Sequence, residues 1–198
     1  MLSEPQLHIK GKILKADKKA IAIVGTRSPT DFGRDVAYLF SYQLSKAGFT
    51  IVSGMARGID SVAHQACLDA GGRTIAVLGS GVDVIYPPEN KSLYEKIIKS
   101  GAVVSEFPDG TKPIPKNFLE RNQIIAYLSK AVLVIEGRRR SGTLSTARWA
   151  AELGREVFVI RSPKSSPMSE ATNYLLGEGA TLVHDPKEII DSLLDNHW

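Results

Sequence analysis

Four glycine-rich turns in this sequence carry residue types that can hold phosphate groups. Each turn follows a short apolar run and precedes a stretch of helical period. Glycine lets a backbone approach a ligand closely, and the free N–H groups at a helix start attract anions. One such turn is usually structural, but several on one edge of a sheet predict a surface for several phosphates. The candidate residues are Gly25, Ser53, Gly54, Met55, Ala56, Gly58, Gly79, Gly81, Ser141, Gly142 and Thr143.

A second candidate is the stretch that starts at Lys116, after a loop containing three prolines. Lys116 and Arg121 could hold phosphates, Asn122 adds an amide, and the face of Phe118 could stack on an unpaired base. The structural alternative places Phe118 in the core and leaves Arg121 solvated. The spacing alone favours this alternative.

The basic residues exceed the acidic ones only slightly, with 25 Lys and Arg against 21 Asp and Glu. An excess of +4 is typical of a solvated surface, so the positions of the charges matter more than their sum. The densest cluster, Arg138, Arg139 and Arg140, precedes the turn at Ser141. These three arginines are candidate phosphate contacts.

Several classes of site and compartment are disfavoured. With one cysteine, Cys67, and four scattered histidines, the chain has no disulfide framework and no metal-ligand spacing. Val84 breaks the G-x-G-x-x-G pattern after Gly79, and no Walker motif is present. We therefore expect neither a cofactor nor a metal. No apolar run approaches the ~20 residues of a membrane span, and no signal peptide is evident, which favours a cytosolic protein without a membrane partner.

The elements that position these turns alternate between strand and helix. Apolar runs predict strands at 20–24, 50–52, 74–78, 103–105, 132–135 and 157–160, and helical periodicity predicts helices at 32–47, 59–70, 91–100, 118–128 and 143–153. Nearly continuous apolar strands are typical of a sheet covered on both faces. We predict a single α/β domain over 1–198, with a mainly parallel sheet, helices on both faces, a lead-in strand and loop at 1–19 and a closing helix at 186–195.

Five segments, taken in order, resemble successive blocks of the DNA-processing protein A (DprA/Smf) family. They are AIVGTR, SGMARGIDSVAHQACLDAGGRTIAVLGSGVDVIYPPEN, SEFP, FLERNQIIAYLSKAVLVIE and RSGTLSTARWAAELGREVF, and the similarity extends roughly from Leu7 to Ala180. The resemblance implies an extended Rossmann-like domain that binds single-stranded DNA and has no catalytic activity. It also implies protection of incoming strands in natural transformation, loading of a RecA-type recombinase, and a homodimer.

The resemblance also implies which residues contact DNA. They would be Arg27, the turn at 53–58 with Arg57, and the region of Lys116, Phe118 and Arg121. Phe118 thereby becomes a base platform or a pocket wall.

Three departures from the family pattern stand out. Gln123 replaces a usual arginine, and Arg161-Ser162-Pro163 replaces a usual Pro-Gly. The N-terminal helical domain and the C-terminal winged helix of many members are expected to be absent from this sequence.

Two other functions compete with this interpretation. Hydrolases that cleave nucleoside monophosphates share the fold superfamily and carry a G-G-x-G-T-x-x-E turn, but Thr146 occupies the position of its catalytic glutamate. A hydroxyl cannot replace a carboxylate in that chemistry, although Glu136 or Glu106 could substitute. The third possibility is a protein-interaction module whose pocket is vestigial.

Overall fold

A computed structural model describes residues 5–139, 141–162 and 166–195. Within these residues eight strands form one sheet in the order β1-β5-β4-β3-β2-β6-β7-β8. The strands are β1 His8–Gly11, β2 Ala20–Val24, β3 Thr50–Ser53, β4 Thr74–Val77, β5 Ala102–Ser105, β6 Ala131–Val134, β7 Glu156–Ile160 and β8 Thr181–Val183. All neighbours pair in parallel except β1, which lies antiparallel to β5.

Helices connect the parallel strands and cover both faces of the sheet. They are α1 Asp31–Lys46, α2 Ile59–Asp69, α3 Lys91–Ser100, α4 Pro115–Tyr127, α5 Gly142–Glu152, α6 Glu170–Gly177 and α7 Pro186–Asp195. None of the helices in the described residues combines the length and apolar character needed to cross a bilayer.

The core has two sides because successive side chains of a strand point to opposite faces. On β2, Ile21 and Ile23 pack with α1, α2 and α7, whereas Ala20, Ala22 and Val24 pack with α4, α5 and α6. A further cluster joins α3 to β4 and β5. The predicted fold class, a mainly parallel α/β sheet covered on both faces, is confirmed.

The strand order reverses direction at β2. The chain runs outward from β2 through β3 and β4 to β5, and then returns to place β6 on the other side of β2. Such a switch point opens a crevice at the carboxyl ends of the strands, because the two connections leave in opposite directions.

Some elements differ from the sequence predictions. The six predicted inner strands are present, but α6 and β8 were not predicted. Strand β8 gives a weak signal because it is a three-residue edge strand whose first residue is exposed. Helix α4 begins at Pro115, three residues before the predicted start at Phe118. Proline is favourable in the first turn of a helix, where its missing N–H costs nothing. Lys116 therefore lies in the first turn of α4 and not in the preceding loop, and Phe118 is helical as predicted.

An ion pair between the buried Asp17 and the partly exposed Arg73 fastens the N-terminal segment to the sheet. The Arg73 guanidinium donates from Nε and Nη2 to the two carboxylate oxygens of Asp17, each at 2.8 Å. The same carboxylate accepts from the Leu14 N–H at 2.7 Å and from the Thr50 hydroxyl at 2.8 Å. Burial by itself raises the pKa of Asp17, but these hydrogen bonds outweigh it and leave the pKa lowered. We call this group of four residues the N-terminal clamp.

Candidate functional site

A cleft of about 570 Å³ opens at the carboxyl edge of the sheet, at the switch point between β2 and β6. Its walls come from the turn after β2 (24–27), from α4 with its preceding loop (113–125), and from the start of α5 (141–146). Ala56, Asp60 and Tyr86 complete the lining. The topology therefore places residues from three of the predicted glycine turns and the Phe118 region around one space.

The turn that carries Arg27 has a fixed backbone and an exposed side chain. Thr26 donates its N–H to the Glu136 carbonyl at 2.8 Å and accepts from the Ile59 N–H at 3.2 Å. Gly58 packs against this turn with φ +76°, and a Cβ there would lie 2.7 Å from the Arg27 carbonyl carbon. The guanidinium of Arg27 is thus held at the mouth of the cleft by its backbone, with its charge accessible to solvent.

Phe118 forms a wall of the cleft. Its side chain is half-buried and packs against Gly79, where a Cβ would approach the ring to 2.9 Å. The Tyr86 ring lies 5.6 Å away, centroid to centroid, at 46°. The guanidinium carbons of Arg27 and Arg121 lie 5.2 Å and 5.8 Å from the ring centroid. Two cations therefore lie within 6 Å of the centre of this aromatic ring.

Arg121 is buried below this wall, with 4% of its surface exposed. Nη1 donates to the Gly54 carbonyl at 2.6 Å and to the Val77 carbonyl, and Nε donates to the Asn122 amide oxygen at 3.2 Å. Gly54 makes room for this group, because a Cβ there would lie 2.6 Å from Arg121 Cζ. Nη2 has no hydrogen-bond partner among the described residues.

Asp60 lies near Arg121 and shares the cleft lining. Burial lowers the pKa of Arg121 to about 10, while Asp60 opposes that shift and Arg27 adds to it. Burial raises the pKa of Asp60, against the influence of Arg121 and of the Ala56 N–H. Arg121 remains a cation at neutral pH.

The start of α5 brings hydroxyl groups to the inner end of the cleft. Ser141 is the N-cap residue, but its side chain does not cap the helix, and its Oγ is buried without a partner among the described residues. Thr143 and Thr146 are 6% and 2% exposed and line the cleft, and their hydroxyls bond to no described residue. Asn122 fixes the helix start by donating to the Gly142 carbonyl at 3.1 Å.

The predicted turn at 53–58 is largely built into the protein. The Ser53 hydroxyl donates to the Ile23 carbonyl at 2.6 Å. The Met55 side chain lies in the core, and its backbone has a positive φ of 55°. Ala56 lines the main cleft, while Gly54 and Arg57 border a small adjoining pocket. Arg57 is exposed and forms an ion pair with Glu89.

Other predicted contacts lie outside the cleft lining. Gly79 lies behind Phe118, and a Cβ at Gly81 would meet the Asp83 side chain. Lys116 is exposed, with its Nζ 3.3 Å from the Glu120 carboxylate. Arg138 is exposed, whereas Arg139 covers the Tyr174 ring at 4.0 Å. Arg140 lies outside the described residues.

The two glutamates considered for catalysis do not line the cleft. Glu136 is fully buried and accepts from the Thr30 N–H at 3.0 Å and the Thr30 hydroxyl at 2.7 Å, so it holds the start of α1. Burial and the nearby Glu120 raise the pKa of Glu106, which is half-buried. Among the described residues no cluster of His, Cys, Asp or Glu is arranged to hold a metal ion.

Several cleft residues were not among the sequence predictions, including Thr146, Asp60 and Tyr86. Thr146 follows Thr143 by three residues and so shares its helix face, which the pattern could have indicated. Asp60 lies in the first turn of α2, directly after the turn at 53–58. Tyr86 belongs to the loop between β4 and α3, and no sequence pattern placed it.

The mainly parallel sheet, with a cleft at its switch point, places the chain in the class of Rossmann-like α/β proteins. The chain matches the model of the family DNA recombination-mediator protein A over residues 3–194, and it belongs to this family. It is 50% identical to Protein Smf of Synechocystis over 190 residues, which are 94% of this chain and 46% of that protein. The chain spans about half the length of the curated relatives it matches.

Two solved structures have closely similar folds. DNA processing protein A from Streptococcus pneumoniae superposes with a TM-score of 0.88 at 39% identity, covering 93% of this chain and 65% of that one. DNA processing protein A from Helicobacter pylori, whose structure concerns a single-stranded DNA binding mode, gives a TM-score of 0.89 at 31% identity. That match covers 100% of this chain and 91% of that one.

Proposed function

We propose that the cleft binds single-stranded DNA and that the chain acts without catalysis in DNA uptake and recombination. The observation that carries this proposal is the Phe118 ring in the cleft wall, with the Arg27 and Arg121 guanidinium carbons 5.2 Å and 5.8 Å from its centroid. A base can stack on such a ring while the cations attract the phosphates on either side of it. The single-stranded DNA binding mode of the Helicobacter pylori relative supports the same ligand class.

The arrangement favours a single strand over a duplex. In a duplex the faces of the bases are covered by their neighbours, so Phe118 could contact a base only after unstacking it. We expect fluorescence anisotropy to give a tighter dissociation constant for oligo(dT) than for a duplex of equal length. Affinity should also fall as salt rises, because bound counterions leave the phosphates. Equal affinity for the two ligands, or no dependence on salt, would contradict the proposal.

Replacing Phe118 by alanine tests the aromatic wall. Loss of stacking should weaken oligo(dT) binding by ~1–3 kcal/mol without changing the salt dependence, because stacking involves no counterion release. Tyr38→Ala is a suitable control, because Tyr38 is an aromatic residue on the surface of α1, outside the cleft lining. A large drop in melting temperature with normal binding of the folded fraction would instead assign Phe118 a structural role.

The absence of catalysis is a separate part of the proposal. Asp60 is the carboxylate residue in the lining of the described cleft, and burial raises its pKa. Incubation with adenosine or cytidine monophosphate should release no base. Turnover that disappears in Asp60→Asn would favour the hydrolase alternative.

The RecA-type recombinase partner, the homodimer and the cytosolic location are further parts of this proposal and rest on family membership. Light scattering at micromolar concentration should give about twice the mass of one chain. A mass equal to that of a single chain would remove the dimer from the proposal and leave the DNA site unaffected.

A further inference from the structure

The inner end of the cleft holds hydrogen-bond donors that no described residue uses. Nη2 of Arg121 and the hydroxyls of Thr143 and Thr146 lack partners, and all three side chains are more than nine-tenths buried. The buried Oγ of Ser141 is also unpartnered. Buried polar groups are normally satisfied, so the unpartnered Oγ of Ser141 indicates a ligand, and the unused donors of Arg121, Thr143 and Thr146 belong to residues that line the same cleft.

Ser141, Thr143 and Thr146 belong to the first turns of an eleven-residue helix, and Arg121 lines the same cleft. Ser141 adopts an extended N-cap conformation (φ −126°, ψ 154°) without bonding to the N–H groups beyond it. The first N–H groups of α5 therefore share the cleft with a guanidinium and with hydroxyls that can donate. Asp60 is the opposing charge in the lining, and the Arg121 and Arg27 cations counter it. The donor set suits a compact anion with several acceptor oxygens.

We propose that the α5 subsite, formed by Arg121, Ser141, Thr143 and Thr146, binds a phosphomonoester. The group would be either the terminal phosphate of a DNA strand or the phosphate of a free nucleoside monophosphate. The inference rests on the proposed function because it assigns the inner end of the same cleft.

Burial favours a terminal phosphate over one within a strand. Arg121, Thr143 and Thr146 are each less than a tenth exposed and line the cleft, so a phosphate that contacts all three lies within the cleft. A phosphodiester in mid-strand could do so only if the backbone entered and left through the same opening. A terminal phosphate, or a mononucleotide, enters from one side and presents an additional oxygen to the donors.

The test compares oligo(dT) of one length bearing a 5′-hydroxyl, a 5′-phosphate or a 3′-phosphate, measured by anisotropy on the same protein. We expect one phosphorylated end to bind about tenfold more tightly than the hydroxyl form, the difference expected for a charge-assisted hydrogen bond. Thr146→Val, which keeps the side-chain shape, should reduce that ratio towards one. Thr146→Ser should restore it if the hydroxyl is the cause. Thr181→Val, on the exposed edge strand β8, should leave both affinities unchanged.

Calorimetry with thymidine monophosphate and thymidine distinguishes the two sources of the phosphate. If thymidine monophosphate binds and thymidine does not, and if this binding is lost in Thr146→Val, the subsite accepts free nucleotides as well as strand ends. Equal affinity for all three oligonucleotides, with no binding of the monophosphate, overturns the inference while oligo(dT) binding still supports the proposed function. Failure of every oligonucleotide to bind, with the monophosphate still bound, overturns the proposed function and retains the subsite.

Discussion

Two regions of this molecule bring an arginine close to a buried aspartate, and they use the pair differently. In the N-terminal clamp, Arg73 contacts both oxygens of Asp17 and also donates to the carbonyls of Lys12 and Ser100. In the cleft, Arg121 directs Nη1 to two backbone carbonyls and makes no hydrogen bond to Asp60. The clamp matches its donors and acceptors, whereas the cleft leaves donors free.

The two aspartates respond to these surroundings in opposite directions. Burial would raise the pKa of both, but in Asp17 the hydrogen bonds from Arg73, Leu14 and Thr50 outweigh burial and lower it. In Asp60 burial prevails over the influence of Arg121. Contact geometry, and not residue type, thus separates a pair that holds the fold from one that remains available to a ligand.

The largest effect is expected where the clamp is broken. Asp17→Ala removes a buried carboxylate that accepts from Arg73, Leu14 and Thr50, and it should lower the free energy of unfolding by about 3 kcal/mol, because several donors lose their partner at once. Urea denaturation measures this loss. Arg148→Ala removes the exposed pair with Glu152 and should cost at most about 0.5 kcal/mol. A similar cost for the two variants would contradict the role assigned to the clamp.

A second prediction concerns the backbone that holds Arg27. Gly58→Ala and Gly154→Ala both place a side chain at positive φ, +76° and +66°, and the ψ of −127° at Gly58 lies outside the left-handed helical region as well. At Gly58 the added Cβ also overlaps the Arg27 backbone, whereas nothing lies within 4 Å of Gly154. Gly58→Ala should therefore cost ~1–3 kcal/mol more and weaken oligo(dT) binding. Equal costs with unchanged binding would remove Gly58 from the positioning of Arg27.

The opposite pKa directions predict opposite responses to pH. The contribution of Asp17 to the free energy of unfolding is present at pH values above its unfolded pKa, near 3.8. It is lost as the pH falls through the lower pKa of the folded state. The contribution of Asp60 to the free energy of unfolding is present at pH values below 3.8. It is lost as the pH rises through the raised pKa of the folded state. At pH 7, Asp17→Asn should lower the melting temperature and Asp60→Asn should preserve or raise it. A loss of stability in both variants would show that Asp60 is as firmly paired as Asp17.

The sequence predicted the framework of the site better than its interior. Apolar strands ending in glycine turns pointed to the edge of the sheet where the cleft opens. The predicted residues that line this cleft include Gly25, Arg27, Phe118, Gly142 and Thr143. A glycine indicates that something approaches closely, but not whether that neighbour is a ligand or the protein itself. At Gly54 and Gly58 the close neighbours are Arg121 and the Arg27 backbone, which only the folded chain reveals.

The cations also show that a local sequence pattern does not reveal what a side chain contacts in the folded chain. Three cations look equivalent in the sequence but differ in the structure. Lys116 is exposed and pairs with Glu120, Arg121 is buried, and Arg27 is exposed at the mouth of the cleft. The three-residue shift in the start of α4 accounts for Lys116, since it moves this side chain onto a helix beside Glu120. The burial of Arg121 depends on Gly54 from a distant turn, which local patterns cannot indicate.

The most direct test of the cleft as a phosphate-binding surface is the slope of log affinity against log salt for oligo(dT). Arg27→Ala removes an exposed cation whose side chain makes no hydrogen bond or ion pair with the described residues, so its effect on binding is not confounded by a loss of fold. If Arg27 contacts a phosphate, the slope should become shallower by about 0.7, the value for one single-strand phosphate. Arg148→Ala, which removes the same charge from the outside of α5, should leave the slope unchanged. An unaltered slope in Arg27→Ala, or an equal change in both variants, would contradict the account.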